Sequence, residues 1–184
     1  TNFVQGLPVW AGSVACRRGR ALLAGVVLDP QGGNVFTAVR GGGAYWNGHR
    51  MRVSGRPALA GAFLATGYPF RAKAALDLYL GFFRGVFTEA RAIRRCGAAA
   101  LDLAYVAAGR FDGAWLPRVN AWDVMAGLLL VSEAGGQITN YRGVQDTAVF
   151  HGKQVVVSNG LIHDDILTVI VLGHSAPRLK ARKR

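Results

Sequence analysis

Arg95-Cys96-Gly97-Ala98-Ala99-Ala100-Leu101-Asp102-Leu103-Ala104-Tyr105-Val106-Ala107-Ala108-Gly109 is the stretch that decides the fold class. It follows a strand-like segment, Ala90 to Arg94. Its spacing predicts a helix over Ala98 to Ala108, with Leu101, Ala104, Tyr105 and Ala108 on one face. Gly109 stops that helix. Small residues at the strand-to-helix junction let backbone N–H groups face an anion. They equally let a helix lie close against a sheet. Asp102, one turn in, reads as a structural polar contact.

Working outward, the same alternation continues. Gly61 to Thr66 predicts a strand and Ala72 to Phe87 a helix, with Ala75, Leu76, Tyr79, Leu80 and Phe83 at helical spacing. Downstream come a strand over Phe111 to Leu116 and a helix over Trp122 to Ala134 that ends at Gly135-Gly136. Strands at Gln137 to Tyr141 and Gln154 to Ser158 follow, then a last helix over Leu161 to Leu172. Strands alternating with helices indicate a layered α/β unit. The first part differs. Pro8 to Cys16, Ala21 to Leu28 (a buried-strand run) and Val35 to Val39 form an antiparallel meander. Asn47-Gly48 marks a tight turn between Ala44–Trp46 and Met51–Val53. The expected organisation is an antiparallel-sheet subdomain over 1–56, an α/β subdomain over 57–174 and a basic, frayed tail over 175–184.

Composition removes several classes. Of 184 residues, 51% are apolar and 17% charged, which excludes a disordered chain. The 25 glycines have no three-residue period, so the chain is not collagen-like. No apolar run is long enough to span a bilayer. Cys16 and Cys96 are too few for a disulfide scaffold, and a reducing, cytoplasmic setting is expected. The net charge is +12, and five of the cations lie in the last seven residues. Two further clusters are Arg17, Arg18, Arg20 and Arg91, Arg94, Arg95. Such a surface attracts phosphate or nucleic acid without specificity. No zinc-finger, helix-turn-helix or RNP-like pattern accompanies it. Gly41 to Gly43 lacks the helix and Lys of a phosphate loop. The histidines have no metal spacing, and His151 and His163 are assigned to the surface.

Asn120-Ala121-Trp122-Asp123 places a carboxylate at the start of an apolar helix. It suits a helix cap and the helix dipole. It equally suits a hard cation such as Mg²⁺ beside a phosphate.

In order along the chain, six segments resemble the inositol monophosphatase family. They are Thr1 to Pro8, Gly25 to Pro30, Arg40 to Gly48, Arg95 to Gly113, Trp122 to Gly127 and Glu133 to Gly136. The resemblance implies a layered αβαβα sandwich with its N-terminal part missing, since the chain begins within a family motif. It implies Mg²⁺-dependent, lithium-sensitive hydrolysis of inositol monophosphate or a related phosphate monoester. It makes Asp123 a metal ligand and substrate contact, and Gly97, Ala98 and Ala99 a substrate-contacting loop. The family's other metal ligands would lie before Thr1, so no catalytic residue is assigned and the chain as given is expected to be inactive. Leu116 stands where most members carry a substrate-contacting Glu. The alternative carried by the same resemblance is a non-catalytic protein that binds RNA or the transcription machinery. A homodimer is compatible with either role, and no membrane partner is expected.

Overall fold

The computed structural model describes residues 1–69 and 73–174. The basic tail and the first residue of the predicted Ala72 helix lie outside these residues.

Two five-stranded sheets alternate with two pairs of helices. The first sheet has strand order β1-β2-β3-β4-β5 and is antiparallel throughout. Its strands are β1 (Gly12–Arg18), β2 (Ala21–Asp29), β3 (Asn34–Val39), β4 (Gly43–Trp46) and β5 (His49–Arg50). Of Met51 to Val53, expected in the last hairpin, Met51 still donates to the Ala44 carbonyl at 2.9 Å, whereas Val53 N–H bonds to the Ala134 carbonyl instead. The second sheet has order β7-β6-β8-β10-β9. It contains β6 (Phe63–Thr66), β7 (Ala92–Arg94), β8 (Gly113–Pro117), β9 (Gln137–Thr139) and β10 (Gln154–Ser158). Strands β7, β6 and β8 are mutually parallel, and β10 and β9 complete the sheet antiparallel.

Helices α2 (Ala99–Ala107) and α3 (Ala121–Glu133) fill the space between the sheets. Their apolar residues join Val27 and Phe36 of the first sheet and Ala114, Val155 and Val157 of the second in one core. Helices α1 (Leu76–Glu89) and α5 (His163–His174) cover the other face of the second sheet. A one-turn helix α4 (Thr147–Phe150), which the sequence pattern does not reveal, precedes β10. The described residues thus stack sheet, helices, sheet, helices, the layered α/β architecture that the alternation implies.

Two details depart from the sequence expectation. The run Ala21 to Leu28 is apolar throughout, yet only one face of β2 is covered: Val27 is buried, while Val26 and Leu28 are exposed. They share an outer face with Val14 and Val39. Helix α1 buries Tyr79, Phe82 and Val86 and exposes Leu76 and Leu80, so its buried stripe is rotated from the predicted one.

His163 corrects the surface assignment, because the ring is fully buried. Its Nδ1 lies 2.9 Å from Ser158 Oγ and its Nε2 2.8 Å from Thr139 Oγ1. Thr139 gives its one hydroxyl proton to the Asn140 carbonyl, so Nε2 donates to Thr139 and Nδ1 accepts from Ser158. This neutral tautomer ties α5 to β9 and β10. Burial pushes the His163 pKa down to about 4, opposed by Asp164. The folded pKa lies below the unfolded value, so the unfolded chain takes up the proton first as pH falls. Stability is therefore complete above about pH 6.5 and declines toward pH 4, by about 3 kcal/mol in all. Denaturant melts between pH 7 and 4 should show this loss. His163→Gln, less stable at pH 7, should lack that part of the slope; an unchanged slope would exclude His163 as its origin.

Candidate functional site

Segments distant in sequence meet at one cleft of about 440 Å³, with Val9 to Ala11 and Ser13 completing its lining. Thr1, Asn2 and Phe3 form one wall, Gly97 to Ala100 a second, and Trp122 and Asp123 a third. Gly97, Ala98, Ala99 and Asp123, singled out by sequence, therefore share one cavity. Its setting follows from the topology. Strand β7 ends at Arg94, and the chain passes through Arg95-Cys96-Gly97 into α2. Strand β8 ends at Pro117 and leads into α3. The cleft lies on the side of the carboxyl ends of the parallel strands, the usual ligand side of an open α/β sheet.

The start of α2 is open. Ala98 is extended (φ −136°, ψ 91°) and has no side chain able to cap the helix. The first intrahelical bond closes from Asp102 N–H to the Ala98 carbonyl at 3.0 Å. The N–H groups of Ala99, Ala100 and Leu101 precede it and have no carbonyl a turn earlier to bond. Together with the helix dipole they favour an anion. Gly97 has φ +90°, and a Cβ there would come within 2.7 Å of both Asn2 Nδ2 and Arg95 Nη1. Asn2 Nδ2 itself donates to the Val9 carbonyl at 2.7 Å and the Cys96 carbonyl at 3.2 Å, pinning the first wall to the second.

The start of α3 is closed. Asp123 Oδ2 accepts from Asn120 N–H at 2.8 Å and from Asn120 Nδ2 at 3.2 Å. That is the carboxylate half of a capping box, so the cap role is real. Oδ1 takes no part in it. Arg118 and Val119 N–H bond to the Lys153 and Gly152 carbonyls, extending the β8–β10 ladder to the edge of this turn. Arg118 reaches Asn120 through a left-handed backbone, φ 48°. Leu116 is buried and belongs to the core.

Behind the open helix end lies Asp102, 2% exposed, with Oδ1 unbonded. Burial raises its pKa to about 7, tempered by a hydrogen bond to Cys96 and by Arg95. Burial, then Asp102, push the Cys96 thiol up to about 11, so this cysteine is no reactive thiolate.

Among the described residues no three His, Cys, Asp or Glu side chains gather as a metal site. Asp123, with one oxygen committed to the cap, is a single carboxylate. These residues alone do not fit a resident Mg²⁺, which needs about six oxygen ligands. The glycine turn 41–43 is not an anion site either. Glu133 Oε1 and Oε2 already accept from Gly41 and Gly43 N–H at 2.8 and 2.9 Å. Asn2 reaches this site only through the fold, across 94 residues to Cys96, so no local spacing in the sequence marks it.

A layered α/β protein with a cleft at the N-terminal ends of its two middle helices is the class that this geometry defines. Residues 1–172 match the Inositol monophosphatase family, and the chain belongs to it. It is 46% identical over 182 residues to the Nus factor SuhB of Pseudomonas aeruginosa, covering 98% of this chain and 66% of that protein. It is 41% identical over 170 residues to an inositol-1-monophosphatase of Mesorhizobium japonicum, covering 92% of this chain and 63% of the relative. The crystal structure of the extragenic suppressor protein suhB from Bartonella henselae superposes with a TM-score of 0.87 at 41% identity, over 92% of this chain and 64% of that one. The chain thus spans slightly less than two thirds of these relatives' lengths.

Gly97→Ala tests the cradle. The methyl group must displace Arg95 and Asn2 and hold a left-handed backbone. Inorganic phosphate binding, followed by titration, should weaken about tenfold, with stability lowered by about 1 kcal/mol. Unchanged phosphate affinity would exclude the cradle as the anion seat.

Proposed function

We propose that this cleft binds a phosphate monoester and serves Mg²⁺-dependent hydrolysis of inositol monophosphate or a related ester in the cytoplasm. The convergence of the open α2 N-terminus, Gly97 and Asp123 on one cavity carries the reading. The N–H groups of Ala99 and Ala100 receive phosphate oxygens, and Gly97 lets them approach the backbone. Asn120 holds the Asp123 carboxylate in a fixed rotamer through Oδ2, with Oδ1 directed to cation or substrate. Asp123 would be one holder of a divalent ion completed by further oxygen ligands, and such an ion would supply charge neutralisation at the phosphoryl oxygens and activation of water. Asp123 is one ligand among the several it requires, so the 184 residues alone are expected to bind the ester and turn it over poorly.

Calorimetric titration of the chain with inositol 1-phosphate checks this. Adding Mg²⁺ should tighten binding, and Asp123→Asn should remove that gain while leaving metal-free affinity within about twofold. Absence of inositol 1-phosphate binding would overturn the reading. Rapid Mg²⁺-dependent phosphate release by these residues alone would overturn the expectation of poor turnover.

A second reading is a role with the transcription machinery or its RNA. Its support is the +12 charge together with 46% identity to a protein named as a Nus factor. RNA binding of this kind should weaken steeply between 50 and 200 mM salt, by roughly 10³-fold if about six phosphates are engaged. A flat salt response, or no RNA binding at low salt, would remove it.

A further inference from the structure

A second cavity, of about 320 Å³, lies at the opposite end of α3 from Asp123. It shares no lining residue with the cleft. Its floor is apolar. Leu128 and Leu129 face it from α3, Leu22 from β2 and Ile138 from β9, and all four are buried. Half-buried Phe150, the last residue of α4, forms one side. The cavity is thus a gap between the two sheets, beside the end of the helix that separates them.

The rim is polar, and its charge is mostly positive. Arg20 lies in the β1–β2 turn and Arg40 directly follows β3. Arg40 N–H bonds to the Leu23 carbonyl, which brings the end of β3 beside the start of β2. Both arginines are exposed, and among the described residues neither side chain has an ion pair or hydrogen bond. Glu133 is the single acidic residue of the lining, and both its oxygens already accept from Gly41 and Gly43 N–H. The carbonyls that end α3 are engaged as well. Those of Leu130, Val131 and Ser132 accept from Ala134, Gly136 and Gly135 N–H. An anion at the rim therefore meets two unpaired guanidinium groups, while the negative groups nearby are satisfied.

Ligand cavities combine an apolar lining with a few polar groups that fix orientation, and this volume is at the low end of their usual range, roughly 300–1,000 Å³. The occupant is therefore small. Two cations against one acid suit a monoanion better than a dianionic phosphate monoester. A guanidinium meets a carboxylate through paired, charge-assisted hydrogen bonds.

We propose that this cavity is a second binding site, for a small carboxylate with an apolar body. The body rests on Leu22, Leu128, Leu129 and Ile138 against Phe150. The carboxylate lies at the rim with Arg20 and Arg40. The site is separate from the phosphate-directed cleft and does not rest on the function proposed for it. It also gives a role to Arg20 of the Arg17, Arg18, Arg20 cluster, which the cleft leaves unused.

The test titrates 4-phenylbutyrate, its neutral amide and acetate into the chain at one pH and ionic strength. The acid should bind about tenfold more tightly than the amide, because only the acid pairs with the guanidinium groups. Acetate, which has no apolar body, should bind far more weakly than 4-phenylbutyrate. Arg20→Gln and Arg40→Gln should each cut affinity for the acid about fivefold and leave the amide within about twofold. Phe150→Ala should weaken acid and amide alike, since it removes apolar wall and no charge. Both arginines are exposed, so their variants should melt as the parent chain does. Gly97→Ala, which alters the cleft, should leave affinity for the acid unchanged. Equal affinity for acid and amide, or for acid and acetate, would overturn the inference. So would unchanged affinity in both arginine variants, or no binding of 4-phenylbutyrate. A loss in Gly97→Ala as large as in the arginine variants would place the acid in the cleft and overturn it too.

Discussion

The close approach of α3 to everything around it governs this structure. On one side Gly25 of β2 faces Ala126 so tightly that a Cβ at 25 would come within 3.0 Å of the Ala126 backbone. On another, Gly127 faces Leu103 of α2, where a Cβ would come within 2.5 Å of the Leu103 side chain. Interiors packed to crystal density leave no slack for an added methyl at such points. Both ends of the helix are also held: Asn120 and Asp123 close the first, and Glu133 ties the last turn to Gly41 and Gly43. With α3 fixed along its length and at both ends, the Asp123 carboxylate has a fixed place.

The same packing decides the state of α2. Alanine recurs in it at 99, 100, 104 and 107 where it is squeezed between two sheets and α3, and most of its residues are buried. Small apolar residues cannot cap a helix, so the N–H groups at its start remain open to the cleft. An architectural demand thus produces a functional property. Asp102 shows the limit on it. An ionised carboxylate there would oppose any anion at the helix start, and burial that favours the neutral acid reduces the conflict.

Much of this was legible in the sequence, and the exceptions have physical causes. The alternation of strands and helices after residue 61 reads correctly because apolar spacing is a local signal. The Gly97–Ala99 junction and Asp123 are legible for the same reason: each stands at a helix start. Asn2 was not, because its donation to the Cys96 carbonyl spans 94 residues. His163 was misplaced because its partners, Thr139 and Ser158, come from two strands and show no spacing with it. In β2 an unbroken apolar run resembles a strand covered on both sides, whereas only the face toward α3 is covered.

Asp112 ties the segment leaving the first sheet to the entry of β6 in the second. Its buried carboxylate accepts from Ser54 Oγ at 2.6 Å and from Phe63 N–H at 2.7 Å, with Arg56 Nε 3.7 Å away. Asn159 donates to Ser54 Oγ and to the Arg56 carbonyl, and its own N–H bonds to the Asp112 carbonyl. A buried carboxylate costs desolvation, which this many donors offset. The network sits where the segment leaving the first sheet meets the entry of β6, the approach to β8 and the end of β10. The strand ends beside α2 and α3 therefore inherit their positions from a polar knot on the opposite side of the second sheet's strands. One carboxylate satisfied by several partners at this crossing point favours a single alignment of the strands and segments that it joins.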